Sequence, residues 1–142
     1  MNTLGSKYTI SIWAKFRGNF SDHYSPIIGS ENSSNFFIGK NTNNNYIGVQ
    51  NGNYVGNFVT NSNAFDGSWR HFIFTYDGAV GKIYLDSVYK SQYNFSGSNS
   101  QLLIAREVES SGYSWKGDIR NIIIYNRVLN QSEISQLYSN SQ

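Results

Sequence analysis

The sequence predicts an all-β protein, an antiparallel two-sheet jelly-roll sandwich with one short C-terminal helix. Three observations predict it. Apolar residues recur at every second position through most of the chain. Clusters of Gly, Asn, Ser and Asp break those runs at roughly the spacing of short antiparallel strands. Only the C-terminal end carries apolar residues three and four apart, the spacing of a helix face.

The first strand is "YTISIWAKF". Tyr8, Ile10, Ile12, Ala14 and Phe16 share one face and Thr9, Ser11, Trp13 and Lys15 the other, giving a buried side and a mixed side. After a polar loop, "SPIIGS" and "NFFIGK" are short strands separated from the next by "NTNNN". "YIGVQNG" and "NYVGNFVT" read as a hairpin, because Asn51-Gly52 supplies the left-handed turn such a connection needs. "SNAFDGS" is a turn. "WRHFIFTYDG" and "GKIYLDSVYK" form a second hairpin around "DGAVG". "QLLIAR" is a strand, "EVESSGYSWKG" a loop and "DIRNIIIYNR" the last long strand. In "LNQSEISQLYSN", Asn130 is an N-cap and Glu133, three residues on, completes a capping box. Leu129 and Ile134 form the accompanying staple, and Ile134, Leu137 and Tyr138 make the apolar face of a helix of about two turns.

Length and composition narrow the function classes. The chain has 142 residues, the size of one domain, and neither a repeat nor a linker divides it, so a single unit over 1–142 is expected. Charged residues are only 14% and the net charge is +2, with no run of Lys and Arg, which argues against nucleic acid as a partner. No apolar run approaches the roughly 20 residues of a membrane-spanning helix, so no membrane insertion is expected. "MNTLGSKYTIS" holds no apolar signal-peptide core, and no targeting signal is read in this chain. There is no cysteine, hence no disulfide and no thiolate metal site.

Three segments in order, "YTISIWAKF", "SWRHFIFTYDGAVGKIYLDS" and "WKGDIRNIIIYNRVLNQSEISQLY", resemble laminin-G-like jelly rolls of the concanavalin A-like lectin/glucanase superfamily. The family pattern is Trp, then His, then an apolar run ending in Thr-Tyr-Asp-Gly, then a strand of the Leu-Tyr-Leu-Asp-Gly type. In that pattern Trp13, Trp69 and His71 fall on scaffold positions, and Trp115 stands where a Phe is usual, as a loop anchor. Two departures stand out. The family has a further strand ahead of "TISIW", and here only seven residues precede Tyr8. An edge left open in this way invites pairing with another chain, so a homo-oligomer through that edge is one expectation. The acid of "GDIRN" also lies earlier than usual, as Asp118. Members of the superfamily bind a structural calcium ion near this strand, and the resemblance implies one here with Asp118 as a ligand. The alternative has Asp118 capping the strand or pairing with Arg120 or Lys116.

Glycanases of the superfamily carry closely spaced acids, typically Glu-x-Asp-x-x-Glu on one strand, so that two carboxylates flank one bond. That motif does not occur; Glu107 and Glu109 are the nearest acidic pair and adjoin "SSG" as a solvated loop pair. No Ser-His-Asp order, phosphate loop or metal-spaced histidine pair occurs either, so the chain reads as a non-enzyme. Binding residues are expected on loops at the rim of the sandwich. The candidates are Arg17, Asn19, Asp22, His23 and Tyr24; Asn45 and Tyr46; and Arg106, Glu107, Glu109 and Tyr113. The resemblance implies a non-catalytic recognition module, carbohydrate-binding in the manner of a lectin, on a cell or virion surface. The alternatives are a structural or assembly domain of a larger surface or phage protein that binds a surface protein, and a glycoside hydrolase-like protein. Trp69-Arg70-His71 reads as scaffold. Phe72, Phe74 and Tyr76 lie with Arg70 on the core side, and Trp69 and His71 face the other way, toward Trp13.

Overall fold

A computed structural model describes residues 5–19, 24–30, 37–41, 46–51, 53–57, 63–94, 102–104 and 114–142. Its strands are β1 (Tyr8–Phe16), β2 (Tyr24–Ser30), β3 (Phe37–Asn41), β4 (Tyr46–Asn51), β5 (Asn53–Asn57), β6 (Trp69–Tyr76), β7 (Val80–Leu85), β8 (Val88–Asn94), β9 (Leu102–Ile104) and β10 (Gly117–Tyr125). A 3-10 turn at Asn63–Phe65 and the helix α1 (Gln131–Asn140) complete it. One sheet has the order β10-β1-β6-β7-β8, the other β5-β4-β3-β2-β9, and every pairing is antiparallel.

The core lies between the sheets. Tyr8, Ile10, Ile12, Ala14 and Phe16 of β1 pack with Phe72, Phe74 and Tyr76 of β6, Ile83 and Leu85 of β7, and Ile27, Ile28 and Ile38 of the second sheet. This is the face that alternation selects. Trp115 closes one end of the core against Phe16 and Phe65, and its indole N–H donates to the Asp118 carbonyl, which makes it the expected loop anchor. Lys40 is enclosed as well, with its ammonium 5.8 Å from the centre of the Phe16 ring. Two glycines permit close backbone approach. A Cβ at Gly39 would run into the Ser25 carbonyl, and one at Gly117 into the Lys15 carbonyl.

Alternation alone expects Thr9, Ser11 and Trp13 on a mixed, partly wet face, yet all three are buried. The reason is α1, which lies across the outside of the first sheet. Ile134, Leu129, Leu137 and Tyr125 form a second small core with Ile73 and Tyr84. The capping box is present: Asn130 Oδ1 accepts from the Glu133 N–H at 2.9 Å and Glu133 Oε2 from the Asn130 N–H at 2.9 Å. The helix has 10 residues, longer than the two turns expected, because Ser139 and Asn140 extend it past the apolar face.

One further expectation is corrected. "GKIYLDSVYK" is not one strand. Asp86 and Ser87 both take positive φ, 51° and 67°, so the chain reverses in a two-residue turn between Leu85 and its partner Val88. Arg70 lies on the core side of β6, as alternation expects, being the register partner of the core residue Ala14. It is half-buried at the sheet end, bonded to Asp66 and, at 2.9 Å, to Asp86.

Candidate functional site

Most of the loop residues named as binding candidates, Asp22, His23, Asn45, Arg106, Glu107, Glu109 and Tyr113, lie outside the described residues. The strands that launch those loops are described, and they converge. Tyr24 at the start of β2 and Tyr46 at the start of β4 are both register partners of Asn41, the last residue of β3. β9 runs antiparallel to β2 and leaves the sheet at Ile104, toward the Tyr24 end. The chain returns at Ser114–Lys116 beside β2, where Ser25 Oγ donates to the Ser114 carbonyl and accepts from the Lys116 N–H, each at 3.0 Å. The three candidate loops therefore start from one end of the second sheet.

Arg17, at the end of β1, continues the ladder through its N–H to the Lys116 carbonyl at 2.7 Å. Its guanidinium Nε and Nη2 both reach Asp118 Oδ2 at 2.7 Å. Asp118 thus pairs with Arg17 and not with Arg120 or Lys116. Both side chains are largely exposed, and such a pair contributes little stability. Asn19 is exposed. Calcium takes six to eight oxygens. Among the described residues no three acidic or histidine side chains cluster, and Arg17 already occupies Asp118.

A second locality forms on the outer face of the first sheet. Trp13 and His71 are register partners whose rings stack with centroids 4.9 Å apart, as alternation expects. Tyr138 of α1 stacks on both, 5.6 Å from Trp13 and 5.8 Å from His71. His71 Nε2 shares a 2.7 Å hydrogen bond with Ser11 Oγ, while its buried Nδ1 has no partner. Burial drives the His71 pKa down to about 4 against a smaller opposing pull from Asp86, so the ring is neutral at pH 7. Among the described residues no carboxylate is hydrogen-bonded to the ring. Asp86 instead uses Oδ1 to accept the His71 backbone N–H at 2.9 Å. His71 is scaffold, though only half satisfied.

Beside this stack the guanidinium of Arg120 lies 5.3 Å from the Trp13 ring and 4.3 Å from the Trp69 ring, reaching across β1. The sequence offered no signal for this arrangement, because it depends on a bulge. β10 carries one extra residue opposite the Ser11–Trp13 step, with Asn121 at φ 51°.

The described carboxylates all have structural partners. Asp66 and Asp86 hold Arg70, Asp118 holds Arg17 and Glu133 holds Arg127, while Asp77 Oδ1 accepts the Ala79 and Val80 N–H groups in the β6–β7 turn.

A family model for the concanavalin A-like lectin/glucanases superfamily matches residues 1–135. The chain belongs to that superfamily. No curated protein matches it in sequence. Among solved structures it is similar to domain 4 of AbnA, a GH43 extracellular arabinanase from Geobacillus stearothermophilus, in complex with arabinotriose, with a TM-score of 0.72 and 20% identity over 95% of this chain and 68% of that one. It is also similar to the binding domain of Paraclostridial Mosquitocidal Protein 1, at a TM-score of 0.68 and 21% identity over 95% of this chain and 37% of that one. A sialidase from Trypanosoma rangeli aligns at a TM-score of 0.66 and 18% identity over 95% of this chain and 23% of that one. In the last two the chain corresponds to a minor part of a longer protein. At these identities the likeness is one of fold.

Proposed function

We propose that the chain is a non-catalytic carbohydrate-recognition module acting on glycans of a cell or virion surface. The observation that carries this reading is the superfamily match over residues 1–135, with a domain solved in complex with arabinotriose among the similar folds. The described carboxylates support its non-catalytic side. Most glycoside hydrolases use two carboxyl groups free to flank the bond, and the described ones are committed to guanidinium groups or turn N–H groups. The rim where the loops of Asp22–Tyr24, Asn45–Tyr46 and Arg106–Tyr113 start is the proposed contact region. Shallow polar sites of this kind bind single sugars weakly and gain from multivalency.

A glycan array probed with the protein clustered on beads tests the reading. Retention on a defined subset of glycans is expected, and uniform silence would sink it. Repeating the array with calcium and with chelator tests whether calcium at Asp118, competing with Arg17, contributes. Sugar release from a panel of polysaccharides would instead establish a hydrolase.

A second reading, assembly through a sheet edge, is favoured by β10. Among the described residues β10 has only β1 as a neighbour, and it exposes Ile122, Ile123 and Ile124. The occupant proposed is a second copy. Antiparallel self-pairing about Ile123 sets Ile122 against Ile124 and opposes no two like charges.

A further inference from the structure

We infer that the outer face of the first sheet carries a site for an anionic saccharide, with the Arg120 guanidinium and the Lys15 ammonium receiving its carboxylate or sulfate. The inference rests on the carbohydrate reading above and adds both a ligand class and a place away from the loop rim. Three other described arginines, Arg17, Arg70 and Arg127, end on a carboxylate. Arg120 is exposed, yet among the described residues it has no acidic partner; it lies over the Trp69 and Trp13 rings instead. A guanidinium held on an aromatic face keeps its charge and its N–H edge available, and it loses little further freedom when a planar anion binds. The bulge at Asn121 sets this geometry locally, and bulges commonly serve to re-aim a side chain.

Lys15 supplies the second cation. It projects from the Trp13 face of β1 and is the register partner of both Trp69 and Asp118. It is half-buried and likewise has no acidic partner among the described residues, because Asp118 is bound by Arg17. Trp69, itself half-buried, offers apolar surface next to the two cations for the C–H face of a sugar ring. Two cations with no acidic partner among the described residues, beside one indole, suit a single carboxylate or sulfate. They are too few for a nucleic acid backbone, whose binding depends on neutralising many phosphates at once.

The test is titration of the full chain, by calorimetry or NMR, with sialyllactose and a galacturonic acid oligomer as carboxylate probes, a heparin tetrasaccharide as the sulfate probe, and lactose and arabinotriose as neutral controls. At least one anionic probe is expected to bind in preference to the neutral ones, and the arm that responds names the anion. Arg120→Ala is expected to weaken that binding by about tenfold or more, as loss of a charge-assisted hydrogen bond does, and Lys15→Ala by less. Lys90→Ala makes the same change in net charge on exposed β8 and is expected to leave binding unchanged. Amide shift changes are expected at Trp69 and Arg120. A thermal melt of each variant separates lost binding from lost folding, and Arg120→Lys, which keeps the charge without the planar fork, is expected to recover binding only in part. Neutral sugars bound as well as anionic ones, or anionic binding that survives in a folded Arg120→Ala, would overturn the site while leaving a carbohydrate module standing. Failure of every saccharide on the array would overturn both.

Discussion

His71 shows how one side chain couples the fold to pH. It is fully buried against Trp13 and Tyr138, and burial lowers its pKa from 6.5 to about 4. The folded chain therefore binds fewer protons at this ring than the unfolded chain does between those two values. Stability is complete above pH 6.5 and is lost as the pH falls toward about 4, by an amount on the order of 3 kcal/mol. Urea unfolding of the wild-type chain between pH 7 and pH 5 is expected to show about 2 kcal/mol of this loss. His71→Asn, less stable at pH 7, is expected to show a much flatter profile over the same range. Equal slopes would place the titration elsewhere. The scaffold role of His71 was legible in the sequence, because period two puts it on the Trp13 face. Its unpartnered Nδ1 was not, since Tyr138, which covers the ring, lies 67 positions away in sequence.

At the scale of elements, the β7–β8 turn is where a residue choice conflicts with the backbone. Two-residue hairpin turns with both residues left-handed favour Asn or Asp followed by Gly. Asp86 suits its position, but Ser87 takes φ 67° with a side chain that resists it. Ser87→Gly is expected to stabilise the protein by about 1 kcal/mol, raising the melting temperature by about 3 °C. The hydrogen bond from Gln131 Nε2 to the Ser87 carbonyl uses backbone at this position and survives the change. The same conflict explains why the sequence hid this turn: Ser carries no signal for left-handed backbone, so β7 and β8 read as one run. Elements whose signals are local were legible. β1 and β6 are marked by alternation and α1 by its capping box. The Arg120 arrangement was illegible, because it needs a bulge in β10 and a reach across β1 that no single stretch of sequence encodes.

Over the whole molecule, the two sides of the first sheet meet different ends. Part of the outer face is covered by α1, whereas the β10 edge is uncovered among the described residues and shows Ile124 at 49% exposure. The left-handed Asn121 limits the flat part of that edge to the residues after it, a device that restrains open-ended strand addition. Self-association through this short stretch is expected to appear in sedimentation velocity as a concentration-dependent dimer that Ile124→Lys dissolves. A monomer at every concentration would sink the assembly reading. The sheet order also has a temporal consequence. β1 sits between β6 and β10, the Thr9 hydroxyl donates to the Arg127 carbonyl and accepts from the Leu129 N–H, and the Trp13 indole donates to Ser141 Oγ. The second neighbour and the outer cover of β1 thus come from residues far later in the sequence, with 118 positions between Thr9 and Arg127 and 128 between Trp13 and Ser141. On the ribosome β1 must wait, with Trp13 bare, until β10 and α1 have emerged, so closure of this sheet depends on contacts of long sequence separation and on whatever shields that strand in the interval.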